Sequence, residues 1–212
     1  MEELDLLKKD WQQNNHEDKQ YTENQIYAML KTQSSSVVKW ILIVGIVEFL
    51  FWFILNFFTN DESELVKVGL EKYLFYIDFF TYLNYLILLV FIYYFYINFQ
   101  SISTVSDTKT LMKNILKVRK TVNGYVAYNL SMLGIFSFIV AILSLMNLPE
   151  LTTVRKAMLD GNHNFKLCLI IAMVLLMVLV FVFIFWIFYK LLYGILLKKL
   201  SRNYLELKKI DL

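Results

Sequence analysis

The chain has 212 residues, 58% of them hydrophobic and 17% aromatic, and a net charge of +3. Soluble domains run at about 45–50% apolar, and here the excess falls in long runs, which excludes a soluble globular core as its destination. One cysteine, Cys168, excludes an intrachain disulfide, and the two histidines, His16 and His163, fall short of the roughly three or four convergent ligands of a zinc site. No metal or other cofactor is expected.

Residues 1–36 are hydrophilic and contain acids, so no cleavable signal peptide is expected and the first apolar stretch would act as the insertion signal. Within this cytoplasmic helical arm, Leu4, Leu7 and Trp11 recur at helical spacing, with acids first and lysines later, which suits the helix macrodipole. After the polar stretch Gln12–Gln20, Thr22 and Gln25 read as a capping box that starts a second helix carrying Ile26, Met29 and Leu30 on one face. Ser34–Ser36 is expected to loosen the chain before the membrane. An arm this short cannot bury a core alone. Its stripes either pack on the protein's own cytoplasmic loops or dock another protein.

Four spans are predicted, at about 37–58, 73–99, 125–147 and 165–189, together a four-helix transmembrane domain over 37–189. Lys and Arg number sixteen in the N-terminal arm through Lys39, the central loop 100–124 and the tail from Lys190, against five in the other two loops. By the positive-inside rule both termini are cytoplasmic. The outer loop 59–72 is acidic, and 148–164 is expected to hold a small helix begun by Pro149 and ended by Gly161. Ser106 and Asp107 can cap a basic loop helix over 108–121, with Leu111, Ile115 and Val122 on an apolar face and Lys109, Lys113, Lys117 and Lys120 on another. Span four is expected to run on into an amphipathic tail, 190–212, whose Lys198, Lys199 and Arg202 would meet anionic lipid head groups. Nucleic-acid binding is not expected, since the charge lies beside the bilayer and carries no recognised motif.

The membrane stretches contain few polar groups. Glu48 lies near the middle of span one, and an acid there costs about 2.5–3.5 kcal/mol on insertion scales. Desolvation favours its protonated form, which could donate to Asn84, Tyr85 or Ser137 at similar depth. Three roles are open: helix–helix glue, a proton or ion pathway, and recruitment of another membrane protein. Span three carries a small-residue face through Ala127, Ser131, Gly134, Ser137 and Ala141, and Gly45 offers a similar notch beside Glu48. Span four, nearly devoid of polar groups, is expected to close the bundle from a lipid-exposed side. No phosphate loop, nucleophile elbow or zinc-protease motif occurs, so no catalytic residue is assigned.

The stretches Met1–Trp11, Ser34–Ile43 and Asp107–Val122 together resemble a family of small four-span inner-membrane proteins of Bacteroidota-type bacteria, and the likeness covers the whole chain. Members are often encoded beside sigma-factor genes, which implies an anti-sigma-like regulator whose cytoplasmic arm holds a sigma factor. Some are labelled beta-carotene-cleaving monooxygenases. That label implies a histidine-bound iron, which two histidines outside the spans cannot build. The expectation is an all-α membrane protein of the bacterial inner membrane that binds rather than catalyses, with Leu4, Leu7, Trp11, Ile26 and Leu30 as contacts to a soluble cytoplasmic partner. An accessory subunit joined to other membrane proteins or to a second copy, or a proton-coupled carrier using Glu48, are the alternatives.

Overall fold

The computed structural model describes residues 22–59, 61–147 and 164–210. Among them there is no strand, and five α-helices follow in order: α1 (Glu23–Phe58), α2 (Asp61–Lys67), α3 (Leu74–Thr104), α4 (Thr108–Asn147) and α5 (Asn164–Ile210), with a single 3-10 turn at Glu71–Tyr73. Four of these segments are long and apolar enough to cross a membrane: Glu23–Phe58, Glu71–Thr104, Thr108–Asn147 and Leu169–Lys209. The expected outer helix at Pro149–Gly161 lies outside the described residues.

The long helices form an antiparallel up-down-up-down ring. α1 packs on α3 and α5, α4 packs on the same two, and α1 and α4 face each other across the centre. Interhelix hydrogen bonds fix the register. The Tyr27 hydroxyl donates to the Val105 carbonyl at 3.3 Å, Asn98 Nδ2 donates to Thr121 Oγ1 at 3.2 Å, and Asn203 Nδ2 donates to Ser34 Oγ at 3.0 Å.

The helix ends obey local chemistry. Gln25 Oε1 accepts from the Thr22 backbone N–H at 3.0 Å, the return half of the capping box. Asp107 Oδ2 accepts from the Thr110 backbone N–H at 2.9 Å and caps α4 as the sequence predicts. Elsewhere the helices overrun their expected boundaries. Ser34–Ser36 does not loosen α1, which runs unbroken from Glu23 to Phe58. Serine costs only about 0.5 kcal/mol per helical position, and Ser34 is fully buried, where its small size admits α5 and its hydroxyl meets Asn203. Likewise the basic loop helix and span three are one helix, Thr108–Asn147, with Gly124 inside it.

Burial is uneven along the bundle, and this asymmetry governs the molecule. At the end holding Thr22, the α3–α4 connection and Ile210, residues spaced three and four apart are sealed: Val37, Val38 and Ile41 on α1, Leu111, Ile115, Val118 and Val122 on α4, Leu200 and Leu207 on α5. This is coiled-coil-like packing, and each such side chain contributes about 1.5–3 kcal/mol where the alternative is water. We call this end the stem; its outer surface bears Lys109, Lys113, Lys117, Lys120, Lys198 and Lys199, all exposed. Toward the other end the helices spread, and Phe57 and Phe58 are 79% and 78% exposed. Such a surface has no stable place in water, and between apolar neighbours the hydrophobic drive to pack helices vanishes. At that far end the chain turns through Gly69, whose φ of 77° belongs to the left-handed region and whose added Cβ would stand 2.7 Å from the Asn147 carbonyl oxygen. The turn seats Leu70 fully buried.

Candidate functional site

Where the stem meets the spread half, one acidic side chain gathers three tyrosines. Tyr193 on α5 donates its hydroxyl to Glu48 Oε2 at 3.1 Å, and Tyr189 donates to Glu48 Oε1. Four residues apart on one helix, these two tyrosines share a face and stack at 6.1 Å between ring centroids. The Tyr125 hydroxyl from α4 faces the same carboxyl group. Its ring packs edge-on against Phe95 at 5.3 Å and Tyr193 at 5.8 Å, so α3 joins the cluster through an aromatic wall. Gly45, one turn before Glu48, makes this possible: a Cβ there would meet the Phe95 ring at 3.2 Å.

The geometry corrects the expected partners of Glu48. Asn84 Oδ1 accepts from Tyr128 at 2.9 Å, Tyr85 donates to the Trp52 carbonyl at 3.4 Å, and Ser137 donates to the Leu133 carbonyl of its own helix. The Glu48 carboxyl group itself is met by Tyr189, Tyr193 and Tyr125. The two donors come from α5 instead: Tyr189 is the last residue of the expected span four and Tyr193 falls in the expected tail. Composition hid this because tyrosines at span ends read as an interfacial belt; the four-residue spacing of Tyr189 and Tyr193 was the available signal. Along α4, Gly134 meets Val182 of α5, with a Cβ distance of 3.3 Å, while Ser131 is exposed and Ala141 half-buried, so the small-residue face packs closely at Gly134 and opens at Ser131.

Two spaces adjoin the cluster. A cavity of about 280 Å³ between the helices is lined by Asn84, Tyr85, Asn129 and Tyr189 among apolar and aromatic side chains. A groove of about 740 Å³ opens between α1 and α5, with Glu48 and Tyr189 in its wall. Tyr189, Trp52 and Phe185 border both. Chemically the cluster is a tie. One carboxyl group accepts from donors on α5, so that α1 and α5 are held at one level, with α3 and α4 stacked against the tie.

Of the expected partner contacts, Leu4, Leu7 and Trp11 lie outside the described residues. Leu30 is corrected: it is 5% exposed and belongs to the stem core, with Ile26 half-buried against it. A helix that continues into the stem spends its apolar stripe on its own bundle. Lys198, Lys199 and Arg202 are exposed, and Arg202 approaches Glu206 at 3.7 Å. Among the described residues, no group of His, Cys, Asp and Glu is placed to hold a metal ion.

Among the described residues the protein is helical throughout, with four helices long and apolar enough to cross a membrane arranged around one carboxyl–tyrosine tie. The chain belongs to the family described as Domain of unknown function (DUF8845), which matches residues 24–212. No curated protein and no solved structure matches it.

Proposed function

We propose that this protein is a non-catalytic regulator of the bacterial inner membrane, both termini cytoplasmic, whose N-terminal segment docks a soluble cytoplasmic protein. One observation carries the reading: α1 is a single helix from Glu23 to Phe58, so the segment before Thr22 is attached at the end of the same helix that carries Glu48. A partner held by that segment would act at the end of the helix that the tie joins to α5. The lysine-rich stem supports the cytoplasmic assignment through the positive-inside rule. With Leu30 buried in the stem, the docking contacts narrow to Leu4, Leu7 and Trp11. The resemblance to proteins encoded beside sigma factors supports a sigma factor as the partner and an anti-sigma-like role.

The test is a detergent-solubilised pull-down of the tagged full-length chain against a form lacking residues 1–21, which leaves α1 and the stem core whole. A soluble cytoplasmic protein lost on truncation supports the docking arm, and a sigma factor among the captured proteins supports the regulator. Retention of the same soluble partner by the truncated form overturns the reading. A second reading, an accessory subunit of a larger membrane complex, draws on the groove between α1 and α5, which would present Glu48 and Tyr189 to a neighbouring helix. It expects membrane proteins retained by both forms.

A further inference from the structure

On the opposite flank of α1, at its junction with α3, lies a pocket of about 330 Å³ whose charged lining side chains, among the described residues, are Lys31 and Lys39. They stand eight residues apart, just over two helical turns, and so share one face of α1 with the pocket between them. The space between is hydroxylic: Thr32, Ser35 and Ser36 come from α1 and Ser103 from α3. Phe99 supplies an apolar wall, and among the described residues no carboxylate lines the pocket. Among the described residues, neither lysine is paired with an acid. Thr32 and Ser103 already donate their hydroxyls to the Ala28 and Gln100 carbonyls, so the donors facing a ligand are two uncompensated ammonium groups and the Ser35 and Ser36 hydroxyls, a site for an oxyanion with several acceptor oxygens.

Its level narrows the ligand. Trp40, beside Lys39, is 57% exposed, and Tyr96, one turn from Phe99, is 52% exposed. Exposed amphipathic rings of this kind beside a polar pocket mark a bilayer boundary. Phosphate groups of phospholipids lie at that height, and the exposed apolar flank continuing from Lys39 toward Phe58 would accommodate the acyl chains.

We propose that the α1–α3 pocket is a binding site for a phosphate group, held between Lys31 and Lys39 and supplied by an anionic phospholipid of the leaflet facing the stem. The inference rests on the stem lying at a membrane surface, as in the functional reading above, but not on the docking of any partner. Bound there, the lipid joins α1 to α3 beside the stem and fixes the helix that carries the arm.

The experiment uses the full-length protein purified in a maltoside detergent and examined by native mass spectrometry with added phosphatidylglycerol, with phosphatidylcholine, and with competing inorganic phosphate. Wild type is expected to retain one phosphatidylglycerol in preference to phosphatidylcholine. The double variant Lys31→Gln/Lys39→Gln should lose at least about tenfold in retention, Lys31→Arg/Lys39→Arg should keep it, and Lys198→Gln/Lys199→Gln should leave it unchanged. Displacement by millimolar inorganic phosphate would assign the pocket to a free phosphate and overturn the lipid source. Equal loss in the Lys198/Lys199 pair would reduce the effect to unspecific charge, and undiminished binding by the Lys31/Lys39 glutamine pair would place the ligand elsewhere; either overturns the proposal. Measuring phosphatidylglycerol retention also on the form lacking residues 1–21, which keeps Lys31 and Lys39, separates failure here from failure of the docking arm.

Discussion

Glu48 illustrates how a single residue gains meaning from its neighbours. Its two oxygens satisfy the Tyr189 and Tyr193 hydroxyls, so replacing it by leucine strands both donors among apolar groups. Glu48→Leu should lower stability by about 1–3 kcal/mol, toward the lower end because helices in lipid find alternative partners. Glu48→Gln, which keeps an acceptor oxygen, should lose less than half as much; reversible unfolding of the detergent-solubilised protein measures both. Asp107 makes a second residue-scale case. The Thr110 backbone N–H, followed by the Thr110 hydroxyl, holds its carboxyl below the usual carboxylate range. A depressed folded-state value means stability that is present above the ordinary range and is lost as pH falls through it. Wild type should therefore outlast Asp107→Asn in thermal unfolding at neutral pH, with the gap closing as pH drops below about 4. A gap that persists in acid would show that the cap acts without its charge.

At the scale of elements, the stem pairs apolar seams with two buried asparagines. Asn98 and Asn203 are nearly inaccessible, and the Oδ1 of each has no hydrogen-bond partner among the described residues. An unsatisfied buried carbonyl costs about 1–3 kcal/mol, while polar groups in such seams hold helices in register. Replacing the pair together, Asn203→Leu with Ser34→Ala, extends the leucine seam of Leu200 and Leu207 and should raise the thermal midpoint. A lowered midpoint would mean that the asparagine stabilises more than it costs. Gly45 sets the opposite limit. Valine there would drive its branches into the Phe95 ring and should destabilise by about 1–3 kcal/mol, the usual cost of overpacking. Alanine, which trades a slight clash for helix propensity, should stay within about 1 kcal/mol of wild type.

Taken whole, the molecule is a packed stem leading into a looser apolar half, and the physics of each half follows from its solvent. In the stem, burying Leu111 or Leu207 removes apolar area from water; in the spread half, lipid would be as apolar as the side chains, so exposure there would cost nothing and cavities would persist. Orientation is testable on a cysteine-free Cys168→Ser background. Single cysteines at Lys198 and at Ser63 should be labelled by impermeant maleimide from the cytoplasmic and the outer side respectively, and the reverse pattern would invert the topology.

Much of this was legible without coordinates. The four spans follow from run length alone, because crossing about 30 Å of hydrocarbon in a helix takes about 20 apolar residues whatever the neighbours do. The caps at Thr22 and Asp107 are equally local, set by hydrogen bonds within three residues. What joins one helix to another was not legible. Span lengths place Glu48 at a depth but say nothing of its azimuth, and only the ring order with its antiparallel register turned it toward Tyr189 and Tyr193 rather than Asn84 or Ser137. The same holds for Ser34–Ser36, where a weak local preference for disorder yields to a continuous helix in which Ser34 is buried against α5. Sequence by itself determined that the chain forms long apolar helices and where they are capped, because those are one-dimensional properties of composition and near neighbours. Tertiary structure alone decided which faces meet, because contacts between residues as far apart as Ser34 and Asn203 depend on rotation and register, which small residues and buried polar groups set only once the helices are side by side.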